Sequence, residues 1–125
     1  MIVIDSSGWL EVLSNGPHAE AFAARLKHPA GVLTPTVALY EVYKVVKRSR
    51  PDPEAIGAVA MMRNTRVVDL SEKLALTAAD LSLAHKLSMA DSMMLAVARS
   101  FDAELLTTDE DFEGIDGVTV FSKKR

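Results

Sequence analysis

Apolar positions along the chain follow two alternating rhythms. Short unbroken aliphatic runs occur in five segments: Ile2-Val3-Ile4, Gly31-Val32-Leu33-Thr34, Arg66-Val67-Val68-Asp69, Glu104-Leu105-Leu106-Thr107 and Val118-Thr119-Val120-Phe121. Continuous rather than alternating hydrophobicity marks strands buried on both faces, as in parallel sheets. Between these runs the apolar residues recur at helical spacing.

A Ser6 or Ser7 cap opens a helix through Trp9, Leu10, Val12 and Leu13, which Asn15-Gly16 stops. Pro17 introduces a second helix, His18 to about Lys27. Thr36 caps a third, Val37 to Ser49, whose apolar arc gathers Ala38, Leu39, Val42, Val45 and Val46. Glu41 lies outside that arc, with Lys44 and Arg48 at i+3 and i+7. Further helices are expected at Glu54–Arg63, Glu72–Leu87 and Met89–Phe101, the last apolar nearly all round and therefore buried. Asp109 to Phe112 makes at most one helical turn.

Strands alternating with helices predict an α/β three-layer domain around a mostly parallel five-stranded sheet, with residues 1–125 as a single domain. The composition agrees, with 49% hydrophobic and 25% charged residues. No apolar run approaches the ~18 residues of a membrane span. The N-terminus has no signal-peptide pattern and there are no cysteines, which together lead us to expect a cytoplasmic protein. A net charge of −3 argues against nucleic-acid binding through overall charge, though not against a local basic surface.

Four carboxylates stand out: Asp5, Glu41, Asp91 and Asp109. Asp5 and Asp109 follow aliphatic strands, and Asp91 opens the buried helix. Strand ends and the starts of following helices share one edge of a parallel sheet, where such folds hold their ligands. Each acid also has a structural reading. Asp5 and Asp109 suit helix N-caps, Asp91 suits the third position of a capping box with Ser88, and Glu41 suits a solvated helix face. Val67-Val68-Asp69 repeats the Asp5 context and serves as a decoy. Taken together, carboxylates crowded in one crevice repel unless a cation compensates them. Oxygen-only ligands favour Mg²⁺ or Mn²⁺, which can polarise a phosphodiester and activate an attacking water.

Other chemistries find little support. His18, His28 and His85 lack ligand spacing, and the chain has neither a glycine-rich phosphate loop nor a Gly-x-Ser-x-Gly elbow. Trp9, Tyr40 and Tyr43 read as packing or interface residues, and Met61-Met62 and Met93-Met94 as core filler. Lys44, Arg48 and Arg50 are candidates for holding phosphates, with an exposed helix face as the alternative, and the Lys123-Lys124-Arg125 tail reads as a solvated end.

The opening Ile2-Val3-Ile4-Asp5-Ser6-Ser7 resembles that of the PIN domain, and in particular the VapC toxins of bacterial toxin–antitoxin pairs. The likeness continues through Pro35-Thr36-Val37, Tyr40-Glu41-Val42 and Leu87-Ser88-Met89-Ala90-Asp91-Ser92. It closes with Leu105-Leu106-Thr107-Thr108-Asp109-Glu110-Asp111-Phe112, similar to the family's Thr-x-Asp-x-Asp-Phe ending. The resemblance implies a Mg²⁺- or Mn²⁺-dependent endoribonuclease acting on RNA phosphodiesters. It implies Asp5, Glu41, Asp91 and Asp109 as the acidic site, with Asp5 and Asp91 as the leading metal ligands and Asp109 completing the shell. Thr107 would brace the site and Asp111 would stand at its periphery. A homodimer and a small VapB-like antitoxin are the implied partners. Gly8 departs from the larger apolar residue of many members, so a loose start to the first helix is expected.

Two rivals remain at this level. A phospho-receiver module would use Asp5, Asp69, Thr107 and Lys123, but it leaves Glu41 and Asp91 without a role. A catalytically idle PIN fold acting as a binding protein is the other.

Overall fold

The computed structural model describes residues 1–122, so the basic tail lies outside the described residues. Among them five strands form in chain order: β1 (Ile2–Ile4), β2 (Val32–Pro35), β3 (Arg66–Val68), β4 (Glu104–Thr107) and β5 (Val118–Val120). They pair in the order β3-β2-β1-β4-β5, and all four pairings are parallel. Six α-helices connect and cover them: α1 (Ser6–Leu13), α2 (Ala19–Arg25), α3 (Thr36–Ser49), α4 (Asp52–Arg63), α5 (Glu72–His85) and α6 (Met89–Ser100). The chain runs outward one way through β2 and β3, then returns past β1 to lay down β4 and β5. With right-handed crossovers, that reversal requires helices on both faces of the sheet.

Burial follows the strand order. Val3 and Ile4 of β1 and Leu105 and Leu106 of β4 are at most 1% exposed, whereas Arg66 and Val67 of the edge strand β3 face solvent. α6 packs on β1, β2 and β4. Its run Met94–Ala98 is buried, as expected of a helix apolar nearly all round. Of the methionines read as core filler, Met62 and Met94 are buried but Met61 is 42% exposed. Trp9 is buried as packing, while Tyr40 is 62% exposed and packs against no core.

Several helix starts differ from the sequence expectation. Neither Ser6 nor Ser7 caps α1. Asp5 does, accepting the Gly8 N–H at 3.0 Å, which frees both serines for other partners. Gly8 is not a loose start either. A Cβ there would lie 2.7 Å from both Ile4 Cγ2 and Phe22 Cε1, so Phe22 fills the space a larger residue would need. α2 begins at Ala19, one residue late, and α4 begins at Asp52, two residues early, with Pro53 in its first turn. Thr36 is the first residue of α3 rather than its cap, because Pro35 already supplies the extended flanking backbone (φ −62°, ψ 144°). Asn15, at φ 53°, ends α1 in the left-handed conformation. α5 ends at His85 with Lys86 left-handed behind it (φ 57°), and Asp69 falls just beyond β3.

Candidate metal centre

Reversal of strand order between β1 and β4 opens a crevice beyond their carboxyl ends, the usual ligand position in open α/β sheets. Asp5 follows β1 directly, and Thr107 ends β4, with Thr108 and Asp109 continuing into the crevice. The first turn of α6 delivers Asp91 to the same place. Carboxylate oxygens of Asp91, Asp109 and Asp111 lie within 4.8 Å of one another.

Asp5 sits deeper and is 2% exposed. Its Oδ1 accepts from Ser7 Oγ at 2.7 Å and from the Gly8 N–H at 3.0 Å, and its Oδ2 accepts from Thr107 Oγ1 at 2.5 Å. Thr107 Oγ1 also accepts the Asp109 N–H at 2.9 Å, so one hydroxyl ties the buried acid to the outer cluster. Ser7 Oγ accepts the Thr108 N–H at 2.9 Å and locks the end of β4 to the start of α1. Glu41 joins from α3, where its Oε1 accepts Ser6 Oγ at 2.7 Å. Asp5 thus adjoins the three-carboxylate group through Thr107, while Glu41 is held by Ser6, the residue after Asp5; neither is a member of the group.

The structural readings of these acids hold at the same time. Asp109 accepts the Asp111 N–H at 2.9 Å as a cap, and Ser88 accepts the Asp91 N–H at 3.2 Å in the first turn of α6. Capping fixes the backbone and leaves carboxylate oxygens for the crevice. Asp111, the peripheral acid of the sequence reading, is exposed and sets an oxygen beside those of Asp91 and Asp109, as its two-residue spacing from Asp109 in a tight turn permits. One feature escaped the sequence reading. Ser6 and Ser7, read only as caps, are the donors that aim Glu41 and Asp5, and the Asp-Ser-Ser juxtaposition was the available signal. Glu11 is a further buried acid, 2% exposed, whose carboxylate accepts the His18 N–H at 2.7 Å and ties α1 to α2.

Electrostatics indicate what the cluster needs. Burial pushes the Asp5 carboxyl up, against the hydrogen bonds from Thr107, Ser7 and Gly8, and the Asp109 charge adds to the rise. Asp91 is pushed up to about 7, first by burial, then by the Asp109 charge and a hydrogen bond shared with Asp109, and less by Asp5. Among the described residues no Lys or Arg nitrogen lies within 4.0 Å of Asp5, Asp91, Asp109 or Asp111. Crowded carboxylates lacking a protein cation, with oxygen donors alone, fit a hard divalent ion.

Asp69 takes no part. It lies beyond the edge strand, exposed, with β2 between its strand and β1. A receiver module orders its strands 2-1-3-4-5 and so sets strands 1 and 3 side by side, which this sheet does not.

A doubly wound parallel sheet with an acid cluster at its switch point defines an α/β protein with a crevice fitted to a divalent cation. The PIN domain profile matches residues 2–118, and the chain belongs to that family. Solved structures share the fold. A chain of a toxin–antitoxin complex from Klebsiella pneumoniae superposes with a TM-score of 0.82 at 21% identity, covering 96% of this chain and 97% of that one. The Mycobacterium tuberculosis toxin VapC20, described as cleaving the sarcin–ricin loop, gives 0.77 at 24% identity over 96% and 98%. VapBC2 from Rickettsia felis, solved with a DNA fragment from its promoter, gives 0.77 at 15% identity over 98% of both chains. No curated protein matches in sequence.

Proposed function

We propose that this chain, acting as a single PIN domain, is a Mg²⁺- or Mn²⁺-dependent endoribonuclease and the toxin of a VapBC-like pair. The observation that carries the reading is the cluster of Asp91, Asp109 and Asp111 oxygens within 4.8 Å, without a neighbouring Lys or Arg among the described residues. Asp5 and Asp91 would hold the ion, Asp109 would complete its shell, and Asp111 would add an outer ligand. When bound, the ion polarises the phosphodiester and makes water a competent nucleophile at neutral pH. Ser7, Gly8 and Thr107 keep the Asp5 carboxylate from rotating away. Glu41, held by Ser6 through Oε1, would orient the attacking water.

Partners follow from the same reading. An apolar groove between α1, α3 and α4, lined by Leu10, Leu13, Val45, Val46, Ala58 and Met61, suits an amphipathic antitoxin segment. It begins one helical turn along α3 from Glu41, so a segment bound there reaches the acids. Leu76 and Leu83, 63% and 84% exposed on one face of α5, support a homodimer. No helix among the described residues is long and apolar enough to cross a membrane, and a cytoplasmic location suits an enzyme acting on RNA.

The test is cleavage of RNA by purified protein in Mg²⁺, Mn²⁺ or EDTA, beside Asp5→Asn and Asp91→Asn. Cleavage in Mg²⁺ or Mn²⁺ that EDTA abolishes and both substitutions lower by orders of magnitude is the expected result. Cleavage in EDTA, or full activity in both variants, sinks the metal mechanism. An intact protein that cuts no RNA under any condition favours the idle binding fold.

A further inference from the structure

The outer face of α3 carries a stripe that the acidic site does not use. Tyr40, Tyr43, Lys44, Lys47 and Arg48 recur at i, i+3, i+4, i+7 and i+8, so they share one side of the helix, and together they line a shallow depression. Tyr40 is 62% and Tyr43 37% exposed, large aromatic surface that no core contact demands. The Lys44 ammonium lies 5.4 Å from the Tyr40 ring centre, and Lys47 the same distance from that of Tyr43. Among the described residues, Lys47 alone of these cations has an acid, Asp52 at 3.3 Å, and that pair is well exposed and weak. Among the described residues Lys44 and Arg48 form no ion pair. In a chain of net charge −3, this is a local concentration of positive charge interleaved with aromatic rings.

We propose that this stripe is the docking track for the single-stranded RNA that the acidic crevice cuts, an inference that rests on the nuclease reading above. Bases of any sequence stack on tyrosine faces, and phosphates pair with the intervening cations. The position suits delivery. Glu41 is the residue after Tyr40, on the Lys44 and Arg48 side of the helix, and its carboxylate accepts from Ser6, which stands between Asp5 and Ser7 of the crevice. The stripe then runs about 12 Å down the helix axis, at ~1.5 Å per residue, away from the acids. It lies on the side of α3 opposite the apolar groove, so RNA and a groove-bound protein occupy different surfaces. A second copy of the chain is the less suited occupant, because a two-fold contact sets each patch on itself and would bring its cations together.

The experiment measures binding of a fluorescein-labelled, unstructured oligoribonucleotide by anisotropy in EDTA, where no cutting occurs, across a salt series. Wild-type protein binds, Tyr40→Ala/Tyr43→Ala weakens binding about tenfold or more, and Lys44→Glu/Arg48→Glu does likewise. The second variant also lowers the salt slope by about one unit per removed cation. All these side chains are exposed, and melting temperatures close to wild type verify folding. In Mg²⁺ both variants lose cleavage mainly through a higher KM. The inference is overturned if wild-type protein binds no RNA, or if both variants bind within about twofold of it. It is also overturned if the tyrosine variant changes sedimentation from dimer to monomer while each protomer binds RNA as before, which would make the face a contact between copies. Cutting that persists unchanged in both variants removes the track and leaves the nuclease standing. Stripe-dependent binding without any cutting in Mg²⁺ or Mn²⁺ removes the nuclease and leaves an RNA-binding face.

Discussion

Ile-Val-Ile-Asp5 and Arg-Val-Val-Asp69 are nearly the same local signal, a short aliphatic strand ending in an acid, and the fold treats them in opposite ways. Asp5 is 2% exposed, with three donors gathered on its carboxylate, and Asp69 is exposed beyond an edge strand. The difference lies in what stands beside each strand. β1 is flanked by β2 and β4 at the point where strand order reverses, so residues a hundred positions away, Thr107 and Asp109, reach Asp5. β3 has a neighbour on one side only. A strand-end acid acquires chemistry here from the sheet around it.

The sharpest way to break this comparison is paired substitution. Asp5→Asn is expected to lower RNA cleavage by roughly 10²- to 10³-fold, the scale of removing one preorganised electrostatic group from a catalytic site. Asp69→Asn should leave cleavage unchanged and stability within about 0.5 kcal/mol. Asparagine still caps a helix, so chemical denaturation should find Asp5→Asn folded. Equal losses in both variants would show that position in the sheet is irrelevant.

Thr107→Val probes the tie between the two central strands. It removes the donor to Asp5 and the acceptor of the Asp109 N–H, leaving a buried carboxylate short of one bond. Urea unfolding should report a loss of about 1–3 kcal/mol, with a partial loss of cleavage. A wild-type denaturation midpoint would mean that Asp5 does not depend on its long-range partner.

Gly8→Ala tests the packing beneath the Asp5 cap. Its Cβ would approach Ile4 and Phe22 to 2.7 Å, and overpacking of this kind costs about 1–3 kcal/mol. The readout is again the denaturation midpoint, and an unchanged value would mean that Phe22 moves aside freely.

The smallest expected effect is the pH dependence of the metal-free protein. Asp91 is held up at about 7 when folded, against 3.8 as its ordinary value, so the folded state binds the extra proton between those limits. Stability is therefore greatest at the acid end of that window, falls as pH rises through it, and is flat above it. Calorimetry in EDTA should give a lower Tm at pH 8 than at pH 5.5. Mg²⁺ should raise Tm more at pH 8, because it compensates the ionised cluster. Asp91→Asn should flatten the slope, and a slope that survives it would locate the titration elsewhere.

Much was legible along the chain because burial imposes a period on local sequence. The five aliphatic runs predicted five strands, and the all-round apolar α6 predicted a helix against the sheet. Asp5, Asp91 and Asp109 were readable as acids at strand ends and at a helix start. Helix caps were less legible: an acid and two serines stood together at residues 5–7, and local preference could not choose among them. Long-range contact chose, since Ser6 is drawn to Glu41 and Ser7 to Asp5 and Thr108, leaving Asp5 to accept the Gly8 N–H. The inclusion of Asp111 in the cluster, the burial of Glu11 and the exposure of Tyr40 likewise depend on the angles at which distant segments meet. By itself, then, the sequence determined the elements and the residue types able to bind a hard cation, since both are properties of neighbours in the chain. Only the tertiary structure decided which acids share a crevice, because strand order sets separations between residues that sequence spacing does not encode.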